Sequence, residues 1–202
     1  MEITLAHNKA LNALVYFTER VKPLYLTKAI KLLYLADEYA IKDSGVPITW
    51  LNYKAWKYGP VPEEIWNKPK LTSNLEIDAI DQINLTTSHL ADKIILKPVK
   101  EFDDSNFSDY EIDALDHIVK QYGSFNAEQL VEILHKEGTL WHKVVERNNL
   151  QQQFTLKSNS DFIIEFTELL DTDFKKSAFE VAYQAYLMQA NLIPSTKVNS
   201  IQ

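Results

Sequence analysis

Apolar positions recur along most of this chain at helical spacing. Ala10, Leu14, Phe17 and Val21 share one stripe, which predicts a helix over residues 4–21, and Pro23 forbids its continuation. A second helix is predicted after Thr27, a good N-cap, with Ile30, Leu33, Tyr34, Asp37 and Ile41 at helical spacing. Leu32, Leu35, Ala36 and Ala40 make its other faces apolar as well, and a helix apolar nearly all round belongs at the centre of a fold. It is expected to end at Lys42-Asp43-Ser44-Gly45.

Thr49 is read as the cap of a short third helix over residues 50–58, stopped by Gly59-Pro60-Val61-Pro62, with one more turn over 63–66. Ser73-Asn74-Leu75-Glu76 has the form of a capping box and predicts a brief helix to residue 83. Residues 85–99 carry the β signal. Thr86, Thr87 and the run Ile94 to Val99 favour extended chain, so a small hairpin is expected, with Pro98 placing its strand at an edge. Ser108-Asp109-Tyr110-Glu111 is a second capping box and opens a helix that Gly123 ends. Asn126 and Thr139 are expected to cap two more helices. Helices over residues 160–170 and 173–190 complete the count, and residues 191–202 read as a polar, disordered tail. The fold class predicted is mainly α: a compact single-domain helical bundle over 1–190 with one small β-hairpin.

Composition supports a packed interior, because apolar residues make up 46% and aromatics 11% of the 202 residues. No stretch approaches the roughly 20 apolar residues of a membrane span, and the N-terminal run lacks the pattern of a signal peptide. The expected compartment is the cytoplasm, with no membrane partner. Cysteine is absent, which removes disulfides, thiolate zinc sites and a cysteine nucleophile.

Charge is uneven. Residues 1–70 carry ten Lys/Arg against seven Asp/Glu, while residues 71–202 carry eleven against twenty-one. Seven acids and no base lie between Glu101 and Asp116. Such a surface repels phosphate backbones, so nucleic acid is not the expected partner; it serves solubility or attracts a basic protein. The four glycines, Gly45, Gly59, Gly123 and Gly138, each fall where a helix can end in the left-handed conformation, and none forms a phosphate loop.

Catalytic chemistry finds little footing. No two histidines among His7, His89, His117, His135 and His142 stand four apart, and no HExxH occurs. His135 and His142 would share a face with Glu132 only on one continuous helix, which Gly138 interrupts. The Asp103-Asp104 pair sits in a polar connection, where two carboxylates have no reason to split their pKa values. Asp37 is the unusual carboxylate, since it interrupts an apolar helix and needs a partner or a shifted pKa there. No catalytic residue, metal or cofactor is expected. The segment Trp50, Tyr53, Trp56, Lys57, Tyr58, Val61 and Trp66 is the candidate partner-binding group. Aromatics and lysine running into a stiff proline turn resemble an anchor, although composition alone favours burial of the same residues against the second helix.

Lys31-Leu32-Leu33-Tyr34-Leu35-Ala36-Asp37, then Pro47-Ile48-Thr49, then Lys57-Tyr58-Gly59-Pro60-Val61-Pro62, resemble the signature of the Panacea or SocA-like antitoxin family. The block from Ser124 to Trp141, with Leu130 and His135, is similar to that family's second half. The resemblance covers residues 5–145; residues 67–106 match no part of it, and 150–190 read as a helical extension. It implies a helical domain with a small β element, encoded beside a toxin and often in prophages, that binds and neutralises the adjacent gene's toxin in a type II toxin–antitoxin pair. Two alternatives stand beside it: an adaptor that delivers the toxin to an intracellular protease, as the resemblance to SocA implies, and a DNA-binding autorepressor, for which Lys22, Lys28 and Lys31 are the nearest basic cluster. Under the resemblance Lys31, Leu32, Leu33, Tyr34, Ala36, Asp37, Gly59 and Pro60 are structural motif positions. Tyr34 and Asp37 are expected to fasten the second helix to the Lys57–Pro60 turn.

Overall fold

The computed structural model describes residues 5–66, 75–78, 94–98 and 100–192. Helices α1 (Leu5–Arg20) and α2 (Leu26–Ser44) are followed by strands β1 (Lys54–Trp56) and β2 (Gly59–Val61) and the single turn α3 (Glu63–Trp66). Strands β3 (Leu75–Asp78) and β4 (Ile95–Pro98) come next. Helices α4 (Asp109–Tyr122), α5 (Ala127–Leu134), α6 (Leu140–Arg147), α7 (Leu150–Gln153) and α8 (Asp173–Leu192) complete the order. The fold is mainly α with small antiparallel strand pairs.

α2 is the centre, as its all-round apolar pattern predicts. It packs against α1, α4, α5, α8 and β2, and fourteen of its nineteen residues are buried. One apolar cluster runs from Ala6 in α1 to Ile164 beyond α7. Among the described residues no helix is long and apolar enough to cross a membrane.

Three helix starts follow the sequence rules directly. Ser108 and Glu111 form a reciprocal capping box on α4, Asn126 and Gln129 form another on α5, and the Thr139 hydroxyl accepts the His142 N–H at the start of α6. The second helix departs from expectation at its start: it begins at Leu26, not after Thr27. Leu26 N–H donates to Ile94 O and Leu96 N–H to Leu24 O, so β4 receives the chain just before the helix and does the work of a side-chain cap. Gly45 ends α2 at φ +87. A Cβ there would stand 2.6 Å from the backbone oxygen of Lys175, so this glycine also lets the start of α8 dock. Gly123, by contrast, ends α4 in the right-handed region and needs no left-handed freedom.

The β regions correct the sequence reading. Residues 50–58 are not a helix: β1 and β2 form a hairpin pairing Lys54 with Val61, Ala55 with Pro60 and Trp56 with Gly59. Leu51, Tyr53 and Ala55 alternate inward, a period of two masked by Trp50, Tyr53 and Trp56 at a spacing of three. Residues 160–170 are not an α-helix either: Phe166–Leu169 coil as one 3-10 turn, and the chain before them, over residues 158–164, is extended. Ala55 N–H donates to Phe162 O, Ile164 N–H to Tyr53 O and Lys57 N–H to Ser158 O, so this stretch lies extended along the outer edge of β1. The helix expected over residues 73–83 has a strand at 75–78; the rest of it lies outside the described residues. β4 pairs with that strand and is flanked on its other side by Tyr25, and the expected partner strand over residues 85–93 lies outside the described residues. Pro98 stands on the open edge of this two-stranded sheet, as expected. It ends β4 beyond the reach of the Tyr25 pairing, where its missing N–H costs nothing. α8 runs two residues past the expected 190, and residues 193–202 of the expected tail lie outside the described part.

Candidate binding surface around the hairpin turn

Asp37 lies on α2 with no exposed surface, and four donors surround it. Its Oδ1 accepts the N–H groups of Ile48 and Thr49, both at 2.8 Å. Its Oδ2 accepts the Thr49 hydroxyl and, at 2.7 Å, the Tyr53 hydroxyl. Burial holds the Asp37 pKa above the usual carboxylate value, a rise that these four hydrogen bonds reduce without cancelling. The carboxylate thus knots α2 to the Pro47-Ile48-Thr49 turn and to the strand approach at Tyr53. This corrects the expected fastening to the Lys57–Pro60 turn, which lies beyond the carboxylate's hydrogen bonds because Ile48, Thr49 and Tyr53 fill all four.

Tyr34 also departs from that expectation. Its hydroxyl donates to Glu38 at 3.3 Å, and its ring meets Tyr53 edge-on at 5.1 Å and stacks on Phe166 at 5.4 Å. Leu32, Leu33 and Ala36 are fully buried in the core. The motif helix reaches the hairpin turn through Lys31 instead. Lys31 is 1% exposed, and a Cβ on Gly59, whose φ is +105, would stand 3.3 Å from its Nζ. Burial lowers the Lys31 pKa to about 8. Pro60, next to Gly59 in β2, is buried.

The seven candidate partner-binding residues separate by depth. Tyr53 and Val61 are interior, 0% and 5% exposed, and present no surface. Trp50 is half-buried beneath α8, stacked on Tyr186 at 5.3 Å and beside Phe179 and Tyr183. Trp56 and Trp66 are half-buried and meet edge-on at 5.9 Å. Lys57 and Tyr58 form the two-residue turn itself. Tyr58 is 58% exposed, with the Lys57 ammonium 5.6 Å from its ring centre.

The turn is held from several sides. Lys54 Nζ bonds Glu63 and, at 2.9 Å, Asp161, tying β1 to α3 and to the extended 158–164 stretch. Trp141 Nε1–H donates to Trp56 O at 2.8 Å, and the His135 ring stacks on the Trp141 ring with centres 3.6 Å apart. Gly138, at φ +83, makes the reversal that brings His135 at the end of α5 against Trp141 in α6. The sequence carried both residues but not their contact. A helix stop between a histidine and a tryptophan is the signal that could have found it.

Two other sequence features resolve in the structure. Lys28 is 8% exposed with its Nζ donating to Gly123 O, so two of the three lysines of the basic cluster are turned inward, away from any phosphate backbone. Within the acidic run, Glu111 pairs with Lys9 at 2.6 Å, Asp116 accepts the Tyr16 hydroxyl and Asp103 caps a 3-10 turn. Glu101, Asp104, Asp109 and Asp113 remain exposed. His142 contacts Glu146 at 3.4 Å, and no group of three metal-ligating side chains occurs among the described residues.

A central all-round helix, a carboxylate knot and a clamped hairpin define a helical scaffold that presents one stiff turn. The family model described as antitoxin SocA-like, Panacea domain, matches residues 30–142, from α2 through the start of α6, and the chain belongs to that family. No characterised protein and no solved structure gives a significant match to it.

Proposed function

We propose that the protein is an antitoxin that neutralises the toxin of the adjacent gene by direct binding, covering the toxin's active site without catalysis of its own. The observation that carries this reading is the family match over residues 30–142, more than half the chain. The hairpin turn supports it as the contact surface. Tyr58 is the exposed aromatic of the candidate group, displayed on a turn that Lys54, Trp141 and Gly59 hold still. An aromatic presented without loss of backbone freedom is what an interface anchor requires. Trp56, Trp66 and Lys57 form the half-buried rim around it, and the exposed acids of the 101–116 run suit a basic toxin. The apolar cluster that joins α1 to Ile164, with Tyr186 of α8 packed against it, supports one domain over residues 1–190, and the expected compartment is the cytoplasm.

Co-expression with the neighbouring gene product tests the proposal. Growth rescue and co-purification of the two proteins are expected. Tyr58→Ala is expected to weaken the complex by about 2 kcal/mol while leaving the melting temperature unchanged. A neighbouring product that is neither toxic nor retained on this protein would refute the reading. A toxin whose half-life shortens in the presence of this protein would instead establish delivery to a protease.

A further inference from the structure

Two buried polar atoms without a partner and one nearly buried ammonium lie around the base of the hairpin. Trp56 Nε1 and His135 Nε2 are buried and have no hydrogen-bond partner. Lys31 Nζ, on a side chain 1% exposed, has no hydrogen bond or ion pair among the described residues. Their placement is set by the fold. Trp56 is the cross-strand partner of Gly59, the Lys31 ammonium lies beneath Gly59, and His135 follows Leu134, whose side chain also reaches Gly59. The Trp141 ring, stacked on His135 and bonded to Trp56 O, closes the group.

Indole N–H and ammonium can only donate, and a neutral imidazole donates from Nε2 in one of its two tautomers. Proteins rarely leave such groups buried and unanswered. An acceptor with negative charge answers all three at once, and burial strengthens each such bond. The position of Lys31 in the family block does not explain the arrangement. A purely structural lysine would be expected to end on a carbonyl or carboxylate, as Lys28 does on Gly123 O.

The geometry points to a receptor for one carboxylate group, held by Lys31 Nζ, Trp56 Nε1 and His135 Nε2 beneath the β1–β2 turn. The neighbourhood selects among anions. His135 also lines an open cleft of about 520 Å³ on α5, and Glu128 and Glu132 stand on that cleft. Glu128 and Glu132, on the cleft that His135 lines, repel a phosphate or any multiply charged anion more strongly than a single carboxylate. The low exposure of Lys31 favours a small planar group over a bulky one. A free small acid and the C-terminal carboxylate of a polypeptide share this chemistry. The inference stands apart from toxin neutralisation and is tested on the protein alone.

The test is a titration of the full-length 15N-labelled protein at pH 7, reading the Trp56 indole N–H resonance. Sodium acetate is compared with sodium chloride at equal ionic strength. A saturable shift with acetate is expected, and Lys31→Met should weaken it about tenfold or more, as loss of a charge-assisted hydrogen bond does. Trp56→Phe, followed by acetate-dependent thermal stabilisation, gives the same answer if Lys31→Met does not fold. Acetyl-triglycine and its amide separate the sources. Binding of the free acid but not the amide supports a chain terminus, while binding of acetate alone supports a small free acid. An indole signal that acetate moves no further than chloride, or that Lys31→Met leaves saturable at full affinity, overturns the proposal. Either failure leaves the toxin-binding experiment untouched.

Discussion

α2 and α8 are helices of nearly equal length, nineteen and twenty residues, both rich in apolar side chains, and they meet opposite fates. α2 is enclosed by α1, α4, α5 and the hairpin, and even its Lys28, Lys31 and Asp37 are buried. α8 touches the body along one face, where Phe179, Tyr183 and Tyr186 meet Trp50, and exposes Phe174 at 77%, Val181 at 71% and Met188 at 65%. Apolar content alone therefore does not decide burial; the number of elements available to cover a helix does. The difference follows the family boundary. α2 lies within residues 30–142 from Ile30 onward, whereas α8 lies outside them. Within the family block Asp37 serves internal fastening, and among the described residues most of the large exposed apolar side chains lie beyond the block.

The sharpest way to break this contrast is at Asp37. Asp37→Ala leaves two backbone N–H groups and two hydroxyls without their acceptor, so the protein should lose about 3 kcal/mol or more, measured by urea denaturation. Gly59→Ala comes next. It places a Cβ at φ +105 and 3.3 Å from Lys31 Nζ, and a loss of about 1–3 kcal/mol is expected.

Lys31 gives a pH signature. Its folded pKa, about 8, lies below the unfolded value, so the unfolded chain binds the proton more tightly. Stability should rise as pH goes from about 8 towards 10, by on the order of 1–2 kcal/mol, and Lys31→Met should flatten that rise. Above pH 10 the raised pKa values of buried Tyr34 and Tyr53 act in the opposite sense, because the unfolded chain then loses those protons first. On α8, replacing Phe174, Val181 and Met188 by serine should change stability by only about 0.5 kcal/mol each, since these side chains already face solvent.

The helices were legible in the sequence wherever caps and a period near 3.6 agreed, as at Ser108, Asn126 and Thr139. The central place of α2 was legible from its faces. The hairpin was not, because its strands are three residues long and its pairing with residues 158–164 is a contact at long sequence separation that no local pattern encodes. Asp37 announced itself as a polar residue on an apolar helix. Its partners were misplaced because the Pro47–Thr49 turn and the Lys57–Pro60 turn both follow α2 closely, and only the folded backbone shows which offers free N–H groups. His135 and Trp141 stood in view, but their stacking depends on the reversal at Gly138.

Hydrogen–deuterium exchange of this protein with and without the adjacent gene's product tests the central claim most directly. Slowed exchange at the Lys57–Tyr58 turn on complex formation, with the amides of Ile48 and Thr49 unchanged, is the predicted result. A complex that leaves the turn exchanging at its free rate and protects other surfaces instead would contradict the account.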